Sequence, residues 1–185
     1  WSRKDHGKDF DQVANPAQQP GFRWLHQSVG TNYRMTSMQA ALGSRQLERL
    51  PVWLQQRERN AGILLAAARD LDALRTPVPP PHMRHAWYRF YTFVRPERLK
   101  PGWTRDRIQQ EIVGHGVPCF TGSCPEIYLE KCFTAQGYGP AAPLPQAREL
   151  GETSLAFLVD PCQDEDAMAR AANALREVVL EATLD

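Results

Sequence analysis

A chain of 185 residues can bury one substantial hydrophobic core, and its 42% hydrophobic and 23% charged residues are ordinary for a soluble globular protein. Its 22 basic and 21 acidic side chains give a net charge of +1, which leaves no basic excess for a nucleic-acid partner. No apolar run approaches the roughly 18 residues of a membrane helix, and no signal-peptide pattern is present, so we expect no membrane partner and a cytoplasmic location. Because the sequence begins at Trp1 rather than Met, we interpret it as a piece of a longer polypeptide.

The first 29 residues are polar and interrupted by prolines, which predicts an irregular connecting arm. Thr36 followed by Gln39 is a capping-box pattern, because each side chain can accept a hydrogen bond from the other residue's backbone N–H. The pattern predicts a helix that begins after Met35 and runs to about Leu50.

Pro51 fits the first turn of a second helical segment. That segment carries an apolar stripe at helical spacing, and its polar residues 57–60 are expected on the solvent-exposed face. The stripe comprises Leu54, Ala61, Leu64, Leu65, Ala68 and Leu71. The proline-rich residues 76–81 then forbid helix and favour extended chain.

The rest of the chain predicts strands at residues 86–94, 117–120 and 154–159, where β-branched and aromatic residues are dense. Thr104 can cap a helix between the first two strands, which Gly114 or Gly116 would end. A final helix follows, with negative charge in its first turn and an apolar face. The acidic residues are Asp164, Glu165 and Asp166, and the apolar face consists of Met168, Ala171, Ala172, Leu175, Val178 and Val179.

This order predicts an α+β fold, in which a helical arm is followed by a small two-layer domain with a mostly antiparallel sheet packed on helices. We expect residues 1–35 to form a connecting arm and active-site loop, and residues 36–75 a helical segment. Residues 76–185 would form the C-terminal α+β domain.

The cysteines predict no metal site. Their gaps match no common zinc pattern and include no C-x-x-C pair, so we expect ordinary reduced thiols at Cys119, Cys124, Cys132 and Cys162. His115 near Cys119 is the strongest alternative. His82 and His85 lie in proline-rich chain and are interpreted as surface or interface histidines.

Residues 30–35 place a glycine, Asn32 and Arg34 directly before the predicted helix start. This arrangement can present backbone N–H groups and an amide to an anion such as a phosphate. On spacing alone, Asn32 is better explained as a turn asparagine, since such residues are common near helix starts. An ion-pair role is the corresponding alternative for Arg34.

Residues 30–47 match the pattern "G-x-N-Y-R-M-x-x-x-Q-A-A-x-G-x-x-Q-L". The block resembles the hallmark of the DegT/DnrJ/StrS family of pyridoxal-phosphate-dependent sugar aminotransferases. Shorter resemblances lie at residues 5–7, 55–61, 85–88 and 145–161, so that nearly the whole chain is covered. The resemblance implies the small domain of a fold-type I aminotransferase with a connecting segment.

The resemblance further implies that the parent protein moves an amino group, with glutamate as the donor, to a nucleotide-linked keto-sugar by means of pyridoxal 5'-phosphate. The lysine that holds the cofactor, and most cofactor contacts, would lie in an upstream large domain. None of the four lysines in this chain lies in such a motif: Lys4, Lys8, Lys100 and Lys131. We therefore expect no catalytic residue in this chain, which would be inactive alone.

The family is implied to form a homodimer with shared active sites, in which the asparagine of "G-x-N-Y-R" binds the cofactor phosphate of the neighbouring subunit. Asn32 matches this cofactor-binding residue, and a neutral amide is a suitable donor to a phosphate dianion. Arg34 is implied to bind the phosphate or the anionic nucleotide-sugar substrate.

The family often has "H-Y-x-P-x-H" where the chain turns back toward the active site, whereas residues 120–128 contain no histidine. This departure indicates a different sugar or a differently shaped pocket. Two alternatives remain open at this point. One is a non-catalytic or regulatory member of the same fold, and the other is an unrelated α+β interaction module.

Overall fold

The computed structural model describes Tyr33 and residues 35–184, apart from the side chain of Cys132. The chain divides between Glu48 and Arg49 into two compact units. Within the described residues, no helix combines the length and apolar character required to cross a membrane.

Helix α1 (Ser37–Ala68) begins with the predicted capping box. The backbone N of Thr36 donates to Oε1 of Gln39 at 2.9 Å, and the backbone N of Gln39 donates to Oγ1 of Thr36 at 3.3 Å. The predicted end near Leu50 is wrong, because the helix continues through Pro51. An interior proline costs about 3 kcal/mol through its lost N–H and its clash with the preceding turn. Its φ is nevertheless helical, and burial of the stripe that follows it offsets the cost.

The C-terminal half of α1 buries the predicted stripe, with Ala61 and Leu64 at 0% exposure. The expectation that all of residues 57–60 face solvent is wrong for Asn60, which is also at 0% exposure. Its side-chain amide donates to the backbone carbonyl of Asp160 at 3.1 Å. Burial of this polar group is tolerated because the carbonyl satisfies it.

The sheet has four antiparallel strands in the order β1-β2-β4-β3. The strands are β1 (Leu74–Arg75), β2 (Phe90–Val94), β3 (Cys119–Phe120) and β4 (Ser154–Phe157). The three predicted strands are confirmed in shorter form, and β1 was not predicted. The register pairs Phe90 with Phe157, and this pair lies on the buried face.

Helices α2 (Arg105–Gly114) and α5 (Glu165–Ala182) pack against each other beside the sheet. The predicted cap at Thr104 is present, since Thr104 accepts from the backbone N of Arg107. Asp164, predicted as negative charge in the first turn, caps α5 by accepting from the backbone N of Ala167. The predicted apolar face of α5 is confirmed as buried.

Residues 121–153, where no helix or strand was predicted, contain two helices, α3 (Lys131–Thr134) and α4 (Pro145–Thr153). Short 3₁₀ turns lie at Pro96–Arg98 and Ile127–Leu129. The first position of α4 is a proline, which helices tolerate there because the missing N–H has no intrahelical partner. The α+β fold with an antiparallel sheet is confirmed.

One hydrophobic core joins the second half of α1 to the sheet, α2 and α5. Leu64 on α1 and Phe90 on β2 both belong to it, so the core draws on residues from both sides of position 76. The expected division of the chain into residues 1–35, 36–75 and 76–185 stays a prediction.

Candidate functional site

Asn32 and Arg34, the two site residues named from the sequence, lie outside the described residues. Their cofactor-binding and substrate-binding roles therefore stay predictions. The neighbouring residues Tyr33 and Met35 are described, and their side chains are exposed by 90% and 66%. Met35 is two residues before Ser37, where α1 begins.

The first turn of α1 uses several of its own donors. The capping box takes the backbone N–H groups of Thr36 and Gln39, and the backbone N of Ala40 donates to the carbonyl of Thr36 at 2.9 Å. An anion at this segment would therefore depend mainly on donors before the helix, such as the Asn32 amide. Residues 12–47 also contain no Asp or Glu, so no carboxylate of this stretch opposes a phosphate. The residues present fit a phosphate group.

A strained turn precedes β2. Trp87 is buried and has φ of +47°, a left-handed conformation that is rare for a bulky residue. Nη1 of Arg57, on α1, donates to the backbone carbonyls of Trp87 at 3.0 Å and Tyr88 at 3.2 Å. Nδ1 of His85 accepts from the backbone N of Trp87 at 3.1 Å, so this histidine has a structural role. The turn leaves the Tyr88 side chain 75% exposed.

Arg89, directly after the turn, lies between two aromatic rings. Its guanidinium carbon is 5.5 Å from the centre of the Tyr88 ring and 5.4 Å from that of Phe120 on β3. Such contacts orient the cation by attraction to the negative faces of the rings. The arrangement gives this end of the sheet a cationic and aromatic surface. That surface lies beside residues 120–128, which contain no histidine.

The segment after β3 is fixed to the sheet. Oγ of Ser154 donates to the carbonyl of Thr121 at 2.7 Å. Gly122 has φ of +88°, and a Cβ there would lie 3.0 Å from Cε1 of Tyr91, so only glycine fits without a shift. The Tyr128 hydroxyl donates to Glu126 and accepts from the backbone N of Leu144 at 3.0 Å. The bond to Glu126 raises the pKa of Tyr128.

The proposed pairing of His115 with Cys119 finds no support in the geometry. Nδ1 of His115 lies 3.9 Å from a carboxylate oxygen of Glu177. Cys119 is buried, and desolvation raises the pKa of its thiol to about 12. Among the described residues, no three His, Cys, Asp or Glu side chains are grouped so that they could hold a metal ion.

Residues 8–176 match the model of the DegT/DnrJ/EryC1/StrS aminotransferase family. The chain belongs to this family. The match spans residues 30–47 (the Gly30 block), the strained turn and the whole sheet, and it confirms the resemblance drawn from the sequence.

A crystal structure of the aminotransferase from Psychrobacter cryohalolentis is 44% identical to this chain, with a TM-score of 0.81. The match covers 97% of the present chain and 47% of the Psychrobacter chain. The dTDP-3-amino-3,4,6-trideoxy-alpha-D-glucose transaminase of Streptomyces venezuelae is 26% identical over 155 residues, which are 84% of this chain and 38% of that protein. The GDP-perosamine synthase of Caulobacter vibrioides is 36% identical over 102 residues, which are 53% of this chain and 26% of that protein.

The present chain therefore spans less than half the length of these three relatives. The matched residues make up one part of each of these longer relatives. The sequence did not predict the strained turn or the position of Arg89. Neither the left-handed backbone of Trp87 nor the contact of Arg89 with the distant Phe120 produces a recognisable local spacing of residues.

Proposed function

We propose that this chain is the C-terminal part of an aminotransferase that moves an amino group, from glutamate, to a nucleotide-linked keto-sugar by means of pyridoxal 5'-phosphate. The family match over residues 8–176 carries the proposal, because it includes the Gly30 block. The names of two relatives, a dTDP-linked amino-sugar transaminase and a GDP-perosamine synthase, support a nucleotide-linked sugar as the acceptor.

Asn32 is the residue of this chain that would hold the cofactor, by donating its side-chain amide to the phosphate bound in the neighbouring subunit of a homodimer. The absence of carboxylates in residues 12–47 supports this role, because no negative charge of that stretch repels the phosphate. A hydrogen bond from a neutral donor to a charged acceptor is stronger than one between neutral groups. The cofactor, when bound, supplies the electron sink that amino transfer requires.

Arg34 would bind the cofactor phosphate or the diphosphate of the substrate, because a guanidinium can donate two parallel hydrogen bonds to such an anion. The segment at residues 120–128 would form part of the substrate pocket. Its lack of histidine supports a pocket that differs from the family's usual form. The exposed ring of Tyr88 and the guanidinium of Arg89 lie beside that segment.

The test uses the full-length protein that contains this chain, saturated with pyridoxal phosphate. We expect glutamate to change the visible absorbance of the bound cofactor, and a nucleotide-linked keto-sugar to restore it while an amino-sugar appears by mass spectrometry. Matched controls are Lys100→Met and Lys131→Met, which should leave both half-reactions unchanged, since neither lysine lies in the cofactor-binding motif. A protein that binds no cofactor would refute the enzyme and favour the non-catalytic alternative.

A further inference from the structure

A groove of about 400 Å³ lies between the second half of α1, strand β1 and the proline-rich segment that follows β1. Part of its lining is apolar, including Leu65 and Leu74. Three arginines complete it: Arg69 from the end of α1, Arg75 from β1, and Arg95 from the end of β2. Its volume lies within the range of about 300–1,000 Å³ that is typical of small-molecule sites.

The three guanidinium groups are only partly neutralised. Among the described residues, Arg69 makes neither a hydrogen bond nor an ion pair, and Arg95 donates to the backbone carbonyl of Asp72 at 3.2 Å. Arg75 lies over the ring of Phe93 at 4.4 Å and is 3.9 Å from Oε1 of Glu149. Neither Phe93 nor Glu149 lines the groove, so Arg69 and Arg95 are its two arginines without a carboxylate partner among the described residues.

The sequence shows the same imbalance. Residues 73–96 contain four arginines and two histidines but no Asp or Glu, although the whole chain has a net charge of only +1. No acidic residue is among those that line the groove in the described part of the chain. Like charges repel one another, and an anion bound in the groove would relieve that repulsion.

We infer that this groove binds a phosphate monoester on a small organic molecule. A phosphate monoester carries close to two negative charges at neutral pH, which matches the two unpaired guanidinium groups of Arg69 and Arg95. Guanidinium groups bind phosphate oxygens through paired hydrogen bonds, and the apolar lining accepts the organic part of the ligand. The inference does not depend on the proposed aminotransferase activity.

The test is isothermal titration of phenyl phosphate into the full-length protein that has been loaded with pyridoxal phosphate and then freed of excess cofactor, so that the cofactor's own phosphate site is filled and no free phosphate monoester competes for the groove. We expect Arg69→Gln to weaken binding at least about tenfold, which corresponds to about 1.4 kcal/mol. Arg69 is exposed and has no partner to lose among the described residues, so the variant should keep its fold, which circular dichroism would check. The double variant Arg69→Gln/Arg95→Gln should weaken binding further.

Arg98→Gln is the matched control, since Arg98 is exposed and lies outside the groove. It should bind phenyl phosphate like the unchanged protein. Benzoate, which carries one negative charge on a ring of the same size, should bind at least about tenfold more weakly than phenyl phosphate. Equal binding of phenyl phosphate by Arg69→Gln and the unchanged protein, or equal binding of benzoate and phenyl phosphate, would overturn the inference.

Discussion

The side-chain amide of Asn60 donates to the backbone carbonyl of Asp160 at 3.1 Å and joins helix α1 to the loop after strand β4. The same nitrogen is 3.5 Å from the carbonyl of Val159. Asn60 is fully buried, and the Asp160 carbonyl also accepts from the backbone N of Gln163 at 3.1 Å. The bond therefore fixes α1 against the end of the sheet.

We expect Asn60→Ala to destabilise this junction by about 1 kcal/mol, because it removes the hydrogen bond between α1 and the loop while the Asp160 carbonyl keeps its bond from the backbone N of Gln163. Hydrogen exchange of the full-length protein should show faster exchange of residues 158–161. Gln55→Ala, at an exposed position of the same helix, is the control and should leave exchange unchanged. Equal exchange in both variants would show that the loop is fixed by other contacts.

We expect Arg57→Met to loosen the strained turn before β2. The methionine keeps the aliphatic length but donates no hydrogen bond to the carbonyls of Trp87 and Tyr88, and the left-handed backbone of Trp87 then loses its support. Hydrogen exchange at residues 87–89 should accelerate at least about tenfold, which corresponds to a loss of about 1.4 kcal/mol in the free energy of local opening. The control is Arg45→Met, which removes only an exposed ion pair with Glu48. A turn that exchanges equally slowly in both variants would contradict the role of Arg57.

The Cys119 thiol gives a pH-dependent prediction. Burial raises its pKa from 9.0 to about 12, so between these values the unfolded chain loses a proton that the folded chain keeps. The folded state then binds more protons, and stability falls as the pH rises from 9 to 12. Thermal unfolding of Cys119→Ala across this range should show a weaker loss of stability than the unchanged protein. An identical pH profile would contradict the assignment.

The sequence allowed the elements with local signals to be predicted. The capping box at Thr36, the cap at Thr104 and the apolar face of α5 are all found, because each depends on neighbours a few residues apart. The two-residue strand β1 was missed, since it exists only through its pairing with β2. Burial of Asn60 was missed for the same reason, because its partner lies 100 residues away in the chain.

Local rules also misjudged Pro51. A proline inside a helix removes one hydrogen bond, and this cost predicts a break. In the structure, burial of Ala61, Leu64 and Ala68 in the following turns outweighs it. Asn32 and Arg34 could be assigned only by the family resemblance, since helix-start spacing alone favours an ordinary turn.

We expect Thr36→Ala to destabilise the start of α1 by about 1 kcal/mol, because it removes the acceptor for the backbone N of Gln39. Hydrogen exchange at residues 37–40 should increase. Ser44→Ala is a suitable control, since its hydroxyl bonds only to the carbonyl of Ala40 within the same helix. No difference between the two variants at residues 37–40 would show that the cap contributes nothing.

The central claim is that this chain supplies Asn32 to a cofactor phosphate, and the affinity of the full-length protein for pyridoxal phosphate tests it most directly. We expect Asn32→Ala to raise the dissociation constant about tenfold, since one hydrogen bond to a charged group contributes about 1.5 kcal/mol. Asn15→Ala, at an asparagine outside the Gly30 block, should leave the constant unchanged. An unchanged constant for Asn32→Ala would contradict the claim.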